Sequence, residues 1–175
     1  MTWLRVPLTV ALVVTALLLE LTVLPLLHLP GAVPDILTVT VIALGYVGGP
    51  VRGAATGLVA GLALDLVTPA VGVLGLSAVV LVAIGYLAGV LGATRDRSPL
   101  VTVALTGLLA GAATLLTAVV GGIVADPRIS WDRVPGLLVT QILYAVVLAA
   151  FVVPAVSALW RRVEPPAPRY EVGRQ

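Results

Sequence analysis

The sequence contains no cysteine and no lysine, one histidine, and few charged residues of either sign. Without cysteine, neither a disulfide framework nor a thiolate metal site can form. A single histidine, His28, excludes a site made of several histidines of one chain. The lack of lysine excludes the phosphate-binding loop whose Gly-Lys pair contacts nucleotide phosphates. We therefore expect no metal and no cofactor.

Only 10% of the residues are charged, whereas roughly a quarter are charged in soluble domains. Hydrophobic residues make up 60% of the chain, and the mean hydropathy is +1.17. A membrane-spanning helix needs about 20 mainly apolar residues, so a chain of this length has room for about six. The net charge of +2 is too small and too dispersed to indicate nucleic-acid binding. These features predict an all-α integral membrane protein without a separate soluble domain.

Charges and helix-breaking residues divide the chain into apolar runs that predict six transmembrane helices in a compact bundle over residues 1–160. The second and third runs are short for a bilayer, and only GGPVRG separates them. The polar, proline-rich segment 161–175 is expected to be a disordered cytoplasmic tail. The six runs extend from Val6 to Leu27, Ile36 to Val47, Val51 to Leu66, Val71 to Ala93, Pro99 to Val124 and Pro135 to Trp160.

The distribution of arginine predicts that both termini are cytoplasmic, because cytoplasmic loops carry an excess of basic residues. With six spans, only Arg128 and Arg133 fall outside, each close to an aspartate. Tryptophan prefers the membrane interfaces, and Trp3, Trp131 and Trp160 all fall at predicted span ends. The arginines on the cytoplasmic side are Arg5, Arg52, Arg95, Arg97, Arg161, Arg162, Arg169 and Arg174.

Glycines recur every fourth residue in the third span, at Gly53, Gly57 and Gly61, and the pattern returns at Gly85 and Gly89 in the fourth. Glycine at this spacing lets the backbones of two membrane helices approach closely. Two interpretations follow. The glycines pack the helices of this chain against one another, or they form a surface for a partner.

Three acidic residues stand close to or within the spans. Asp35 precedes the second span and is predicted to cap it. Asp65, near the outer end of the third span, either bonds the turn that follows or offers a polar contact to a partner or small ligand at the outer face. Glu20 lies near the outer end of the first span, where its carboxylate either reaches the membrane surface or marks a functional site.

No arrangement of residues indicates catalysis, so we expect the protein not to be an enzyme. No second acid is spaced to share a site with Asp65. The serines Ser77, Ser98, Ser130 and Ser157 have no nearby histidine or lysine in the sequence to activate them.

Residues 34–89 resemble the middle of the rod shape-determining protein MreD family. The shared features are a Pro-Asp pair opening a span, a G-P-x-x-G break, a glycine-stepped helix ending in G-L-x-x-D, and G-L-S-A leading to G-Y-L-A-G. The matching residues are Pro34, Asp35, Gly49, Pro50, Gly53, Gly57, Gly61, Asp65, Gly75, Tyr86 and Gly89.

This resemblance implies a non-catalytic scaffold in the inner membrane, in the bacterial cell-elongation machinery that supports cell shape and peptidoglycan synthesis. Such proteins bind the single-span protein MreC. Through it they act with the actin-like MreB, with RodA, and with the class B penicillin-binding partner of RodA. The proline-rich tail matches no family pattern.

The family is also similar in fold to S-component-like subunits, which bind substrates for energy-coupling-factor transporters. A subunit of that kind is the alternative function. Two features disfavour it: few polar residues are available to recognise a ligand, and the first span has no A-x-x-x-A pattern for docking.

Overall fold

The computed structural model describes residues 5–27, 33–67, 74–92, 98–124 and 130–163. Within these ranges the chain is all-helical, as predicted, and a short 3-10 turn follows the first helix at Leu24–Leu27. The helices are α1 (Arg5–Thr22), α2 (Ile36–Gly48), α3 (Pro50–Val67), α4 (Leu76–Gly92), α5 (Pro99–Ile123) and α6 (Val134–Val163).

Four helices, α1, α3, α5 and α6, are long and apolar enough to cross a membrane. Their outward faces expose large aliphatic side chains instead of burying them. On α1, exposed residues recur every four positions and form one apolar stripe of Val6, Val10, Val14 and Leu18. In water such a surface would be an aggregation hazard, whereas lipid solvates it. The chain is therefore a membrane protein by the length and composition of its helices.

The two shorter helices are the most enclosed. α2 has 13 residues, about 20 Å in length, and α4 has 17, about 26 Å, against a hydrocarbon core of about 30 Å. α2 contacts each of the other five helices. Its side chains at Leu37, Val39 and Ile42 have no exposed area. α2 is thus the central helix, around which the others pack.

The closest helix pair is α3 with α4, and glycine is the reason. A Cβ atom at Gly53 would overlap the carbonyl of Gly85, and one at Gly57 would overlap the carbonyl of Leu81. At Gly61 it would overlap the backbone of Ala78. The two backbones touch without side chains between them, which maximises van der Waals contact where lipid gives no hydrophobic drive for association.

The helix bounds lie close to the predicted spans, with three differences. The first span was expected to continue to Leu27, but α1 ends at Thr22 and a 3-10 turn covers Leu24–Leu27. The fourth span was expected from Val71, but α4 begins at Leu76, directly after a turn at Leu74 and Gly75. Gly75 has φ of +94°, a conformation that a non-glycine residue rarely adopts, so the helix cannot extend back through it. α6 continues to Val163, beyond the predicted boundary at 160. Residues 164–175, predicted to be disordered, lie outside the described ranges.

The bundle has two chemically different ends. At one, which we call the arginine end, α1 begins with Arg5, α3 begins near Arg52, and α6 finishes with Arg161 and Arg162. Trp160 is buried there, and the Arg5 guanidinium lies 5.6 Å from its ring centre, a cation–π contact. Trp160 therefore packs inside this end of the bundle, whereas the sequence predicted an interfacial ring.

Candidate functional site

The opposite end of the bundle holds a pair of carboxyl groups at the start of α2, those of Glu20 and Asp35. Asp35 is the N-cap: its Oδ1 accepts a hydrogen bond from the Thr38 amide at 2.6 Å, and its Oδ2 accepts one from the Thr38 hydroxyl. Glu20 reaches across from α1, and its Oε2 accepts from the Leu37 amide at 2.8 Å. Amides in the first turn of a helix have no intrahelical partner, so the two acids satisfy different donors of one terminus.

The carboxyl groups of Glu20 and Asp35 lie side by side, because they accept hydrogen bonds from the adjacent amides of Leu37 and Thr38. Two carboxylates this close repel each other when both are ionised, so a negative charge here needs a compensating positive charge. The positive end of the α2 dipole favours negative charge at this position. Glu20 and Asp35 meet at the start of α2 although 15 positions separate them in the sequence.

A cavity of about 470 Å³ opens beside this pair, between the helix ends. We call it the polar cavity. One wall is aliphatic and includes Leu64, Leu81 and Leu137. The polar side chains of the lining come from five helices or the segments next to them: Glu20, Asp35, Thr38, Ser77, Thr114, Thr117, Ser130, Arg133 and Gln141.

Gln141 of α6 is the most unusual member of this lining. Its side chain is only 5% exposed, yet within the described part of the chain no hydrogen bond reaches its amide group. A primary amide offers two donors and an acceptor. A buried amide without partners costs free energy, unless water or a ligand in the cavity satisfies it.

Asp65 lies close to this end but does not line the cavity. It is 8% exposed, and its Oδ2 accepts a hydrogen bond from the Gly75 amide at 2.8 Å. This bond joins the last turns of α3 to the turn before α4. The carboxylate is therefore engaged in shaping the connection between the two glycine-rich helices, the first of the two interpretations above. A contact between Asp65 and a partner remains a prediction.

The predicted glycine positions all lie between helices of this chain. Gly53, Gly57 and Gly61 face α4, Gly85 faces back to α3, and Gly89 packs on Gly49 and Pro50 at the start of α3. These five glycines are thus committed to packing within the chain, the first of the two interpretations above.

An apolar groove runs along the outside between α1 and α3. It encloses about 370 Å³. Arg5, Arg52 and Trp160 lie at its arginine end, and the rest of its walls is nearly all aliphatic or small. We call this the α1–α3 groove; its walls include Val6, Val10, Val13, Leu17, Ala55, Thr56, Val59 and Ala63.

Sequence reasoning identified Glu20 and Asp35 separately and missed both their pairing and the cavity. It did not single out Gln141. The available signal was the presence of Glu20, Thr114, Thr117 and Gln141 inside apolar runs, since polar groups at such positions are costly and usually functional. Their convergence depends on tertiary packing, which spacing along the chain does not reveal. Among the described residues, no group of three or more His, Asp or Glu side chains could hold a metal ion.

No family model, curated protein or solved structure matches this chain. Its function must therefore be inferred from the residues and their geometry.

Proposed function

We propose that this protein is a non-catalytic membrane scaffold of the bacterial cell-elongation machinery, similar to MreD, that binds an MreC-like single-span protein. In this proposal α2 and α4 complete six spans in the cytoplasmic membrane, with both chain ends in the cytoplasm. RodA, its class B penicillin-binding partner and MreB are associated through MreC.

The observation that carries the proposal is the combination of a closely packed glycine-rich core with an open α1–α3 groove. The groove walls run from Val6 to Leu17 on α1, about 17 Å along the helix axis at 1.5 Å per residue. Small residues of α3, Ala55 and Ala63, allow close approach of another helix. A partner with a single apolar helix fits such a groove better than a soluble ligand does, because the walls offer few polar groups.

The pattern in residues 34–89 supports the same proposal, because its members occupy defined structural positions. Asp35 caps α2, Gly49 and Pro50 form the break before α3, and Asp65 bonds to Gly75 at the next connection. The motif residues thus specify how α2, α3 and α4 join. They shape the body of the scaffold, while the groove offers its contact surface.

A photo-crosslinking amino acid placed at Val59 in the groove tests the proposal in native membranes, followed by mild-detergent purification and mass spectrometry. The expected product is an adduct with an MreC-like protein. The matched control is Phe151 on α6, which is 72% exposed but lies away from the groove. Equal adducts from both positions, or recovery of no elongation component, would contradict the proposal.

The alternative, a substrate-binding subunit of an energy-coupling-factor-type transporter, gains support from the polar cavity. The sequence suggested too few polar residues for ligand recognition, but the fold gathers those few in one place. The same purification distinguishes the two: transporter ATPases with their membrane coupling subunit would favour this alternative.

A further inference from the structure

We propose that the polar cavity binds an organic ammonium group against the Glu20–Asp35 pair, with the rest of the bound molecule contacting Gln141. This proposal depends on the cavity alone and holds for either function above.

The first support is charge. Two acids line the cavity side by side at the start of α2, and within the described ranges no ion pair links either of them to an arginine. Arg133 lines the cavity but is exposed, so water solvates its guanidinium. A cation with N–H donors would neutralise the acids while donating to carboxylate oxygens, the stronger class of hydrogen bond.

The second support is Gln141, an independent observation from a different helix. The residue is only 5% exposed and lines the cavity, and its amide makes no hydrogen bond among the described residues. The α2 cap does not need this amide, since Leu37 and Thr38 already donate to the two acids. A bound molecule with its own hydrogen-bonding atoms would satisfy this amide.

The third support is the size and composition of the site. A volume of about 470 Å³ falls in the range of ~300–1,000 Å³ typical of small-molecule sites. A single water needs only about 30 Å³. Calcium and magnesium ions usually take six or more oxygen ligands, and only two acidic groups are present in the lining. The aliphatic wall at Leu64 and Leu137 suits carbon atoms attached to the ammonium group.

Two sources supply this chemistry: a free primary amine, or the headgroup of phosphatidylethanolamine. The purified full-length chain in detergent is titrated with n-butylammonium, with neutral n-butanol as the matched probe, and its melting temperature is recorded. In parallel, the chain in nanodiscs containing phosphatidylethanolamine or phosphatidylcholine is analysed by native mass spectrometry. Phosphatidylcholine has the same charge but no N–H donors.

A saturable rise in melting temperature with butylammonium and not with butanol would support a free amine. Selective retention of phosphatidylethanolamine over phosphatidylcholine would support the lipid. In both cases Gln141→Leu and Glu20→Gln should weaken binding at least tenfold. Glu20→Gln keeps an oxygen to accept from Leu37, and Gln141→Leu removes no hydrogen bond made within the described residues, so both variants should fold.

The control variant is Thr56→Val in the α1–α3 groove, where the Thr56 hydroxyl donates to the Arg52 carbonyl of the same helix. It should bind like the wild type. The proposal is overturned if neither probe is distinguished from its matched analogue. It is also overturned if folded Gln141→Leu and Glu20→Gln bind as tightly as the wild type. Failure of the crosslinking at Val59 would leave this result unaffected, so the two proposals fail separately.

Discussion

Gly57 of α3 lies directly against the backbone of Leu81 of α4, with no room for a Cβ atom between the two helices. Backbone cannot move aside as a flexible side chain can. The pair therefore fixes the distance between α3 and α4, and through them the position of the Asp65–Gly75 bond at the end of the bundle.

Gly57→Ala should lower the melting temperature and the yield of folded protein, and Gly57→Leu should do so more severely, because the helices must separate. The matched control is Gly136→Ala on α6, where a Cβ atom meets nothing within 4 Å. Alanine is a better helix former than glycine by ~1 kcal/mol, so the control should be neutral or stabilising. The melting temperature is measured by thermal unfolding, with size-exclusion chromatography to detect the folded protein that remains. If Gly57→Leu melted at the same temperature as the wild type, the packing of α3 on α4 would be wrong.

Asp65→Ala should destabilise the protein by about 1–3 kcal/mol, since the amide of Gly75 loses its acceptor in a site closed to water. Asp65→Asn keeps an oxygen at the same position and should lose less. The free energy of unfolding in mixed detergent and SDS micelles gives the comparison. Equal losses from the two variants would mean that the charge of Asp65, not its acceptor role, is what stabilises the fold.

Glu20→Ala and Asp35→Ala should show non-additive effects on stability. Groups in direct contact couple by about 0.5–3 kcal/mol, whereas distant groups add within ~0.5 kcal/mol. A double-mutant cycle on unfolding free energies measures the coupling. Glu20→Ala combined with Thr9→Val is the control, because about 16 Å of α1 separates the two positions. A coupling no larger than that of the control pair would show that the two carboxyl groups do not interact.

Single cysteines test the proposed orientation, because the chain contains no native cysteine. Ser130 precedes α6 at the cavity end, and Ser98 caps α5 at the other end; both are exposed. With the amino terminus in the cytoplasm, Ser130→Cys should react with a membrane-impermeant maleimide in intact cells, and Ser98→Cys only after lysis. The reverse pattern would invert the proposed orientation.

Much of the helix layout could be predicted from sequence, because apolar runs, Pro50, Pro99 and the Asp35 cap are local signals that act within one or two turns. The start of α4 was missed since it depends on the backbone conformation of Gly75. The cavity was missed for a different reason: Glu20 and Gln141 come from opposite ends of the chain. Only packing around α2 brings their helices together, and no local pattern encodes that packing.

The central position of α2 also determines how late in synthesis this helix becomes fully covered. α2 ends at Gly48, but α6, one of the helices that covers it, begins only at Val134. At ~5–20 residues per second, synthesis leaves this short helix without α6 for several seconds. During that time only α1, α3, α4 and α5 can cover α2, the last three as they emerge in turn. Its burial is thus completed only at the last stage of biogenesis, when the carboxy-terminal helix pair closes around it.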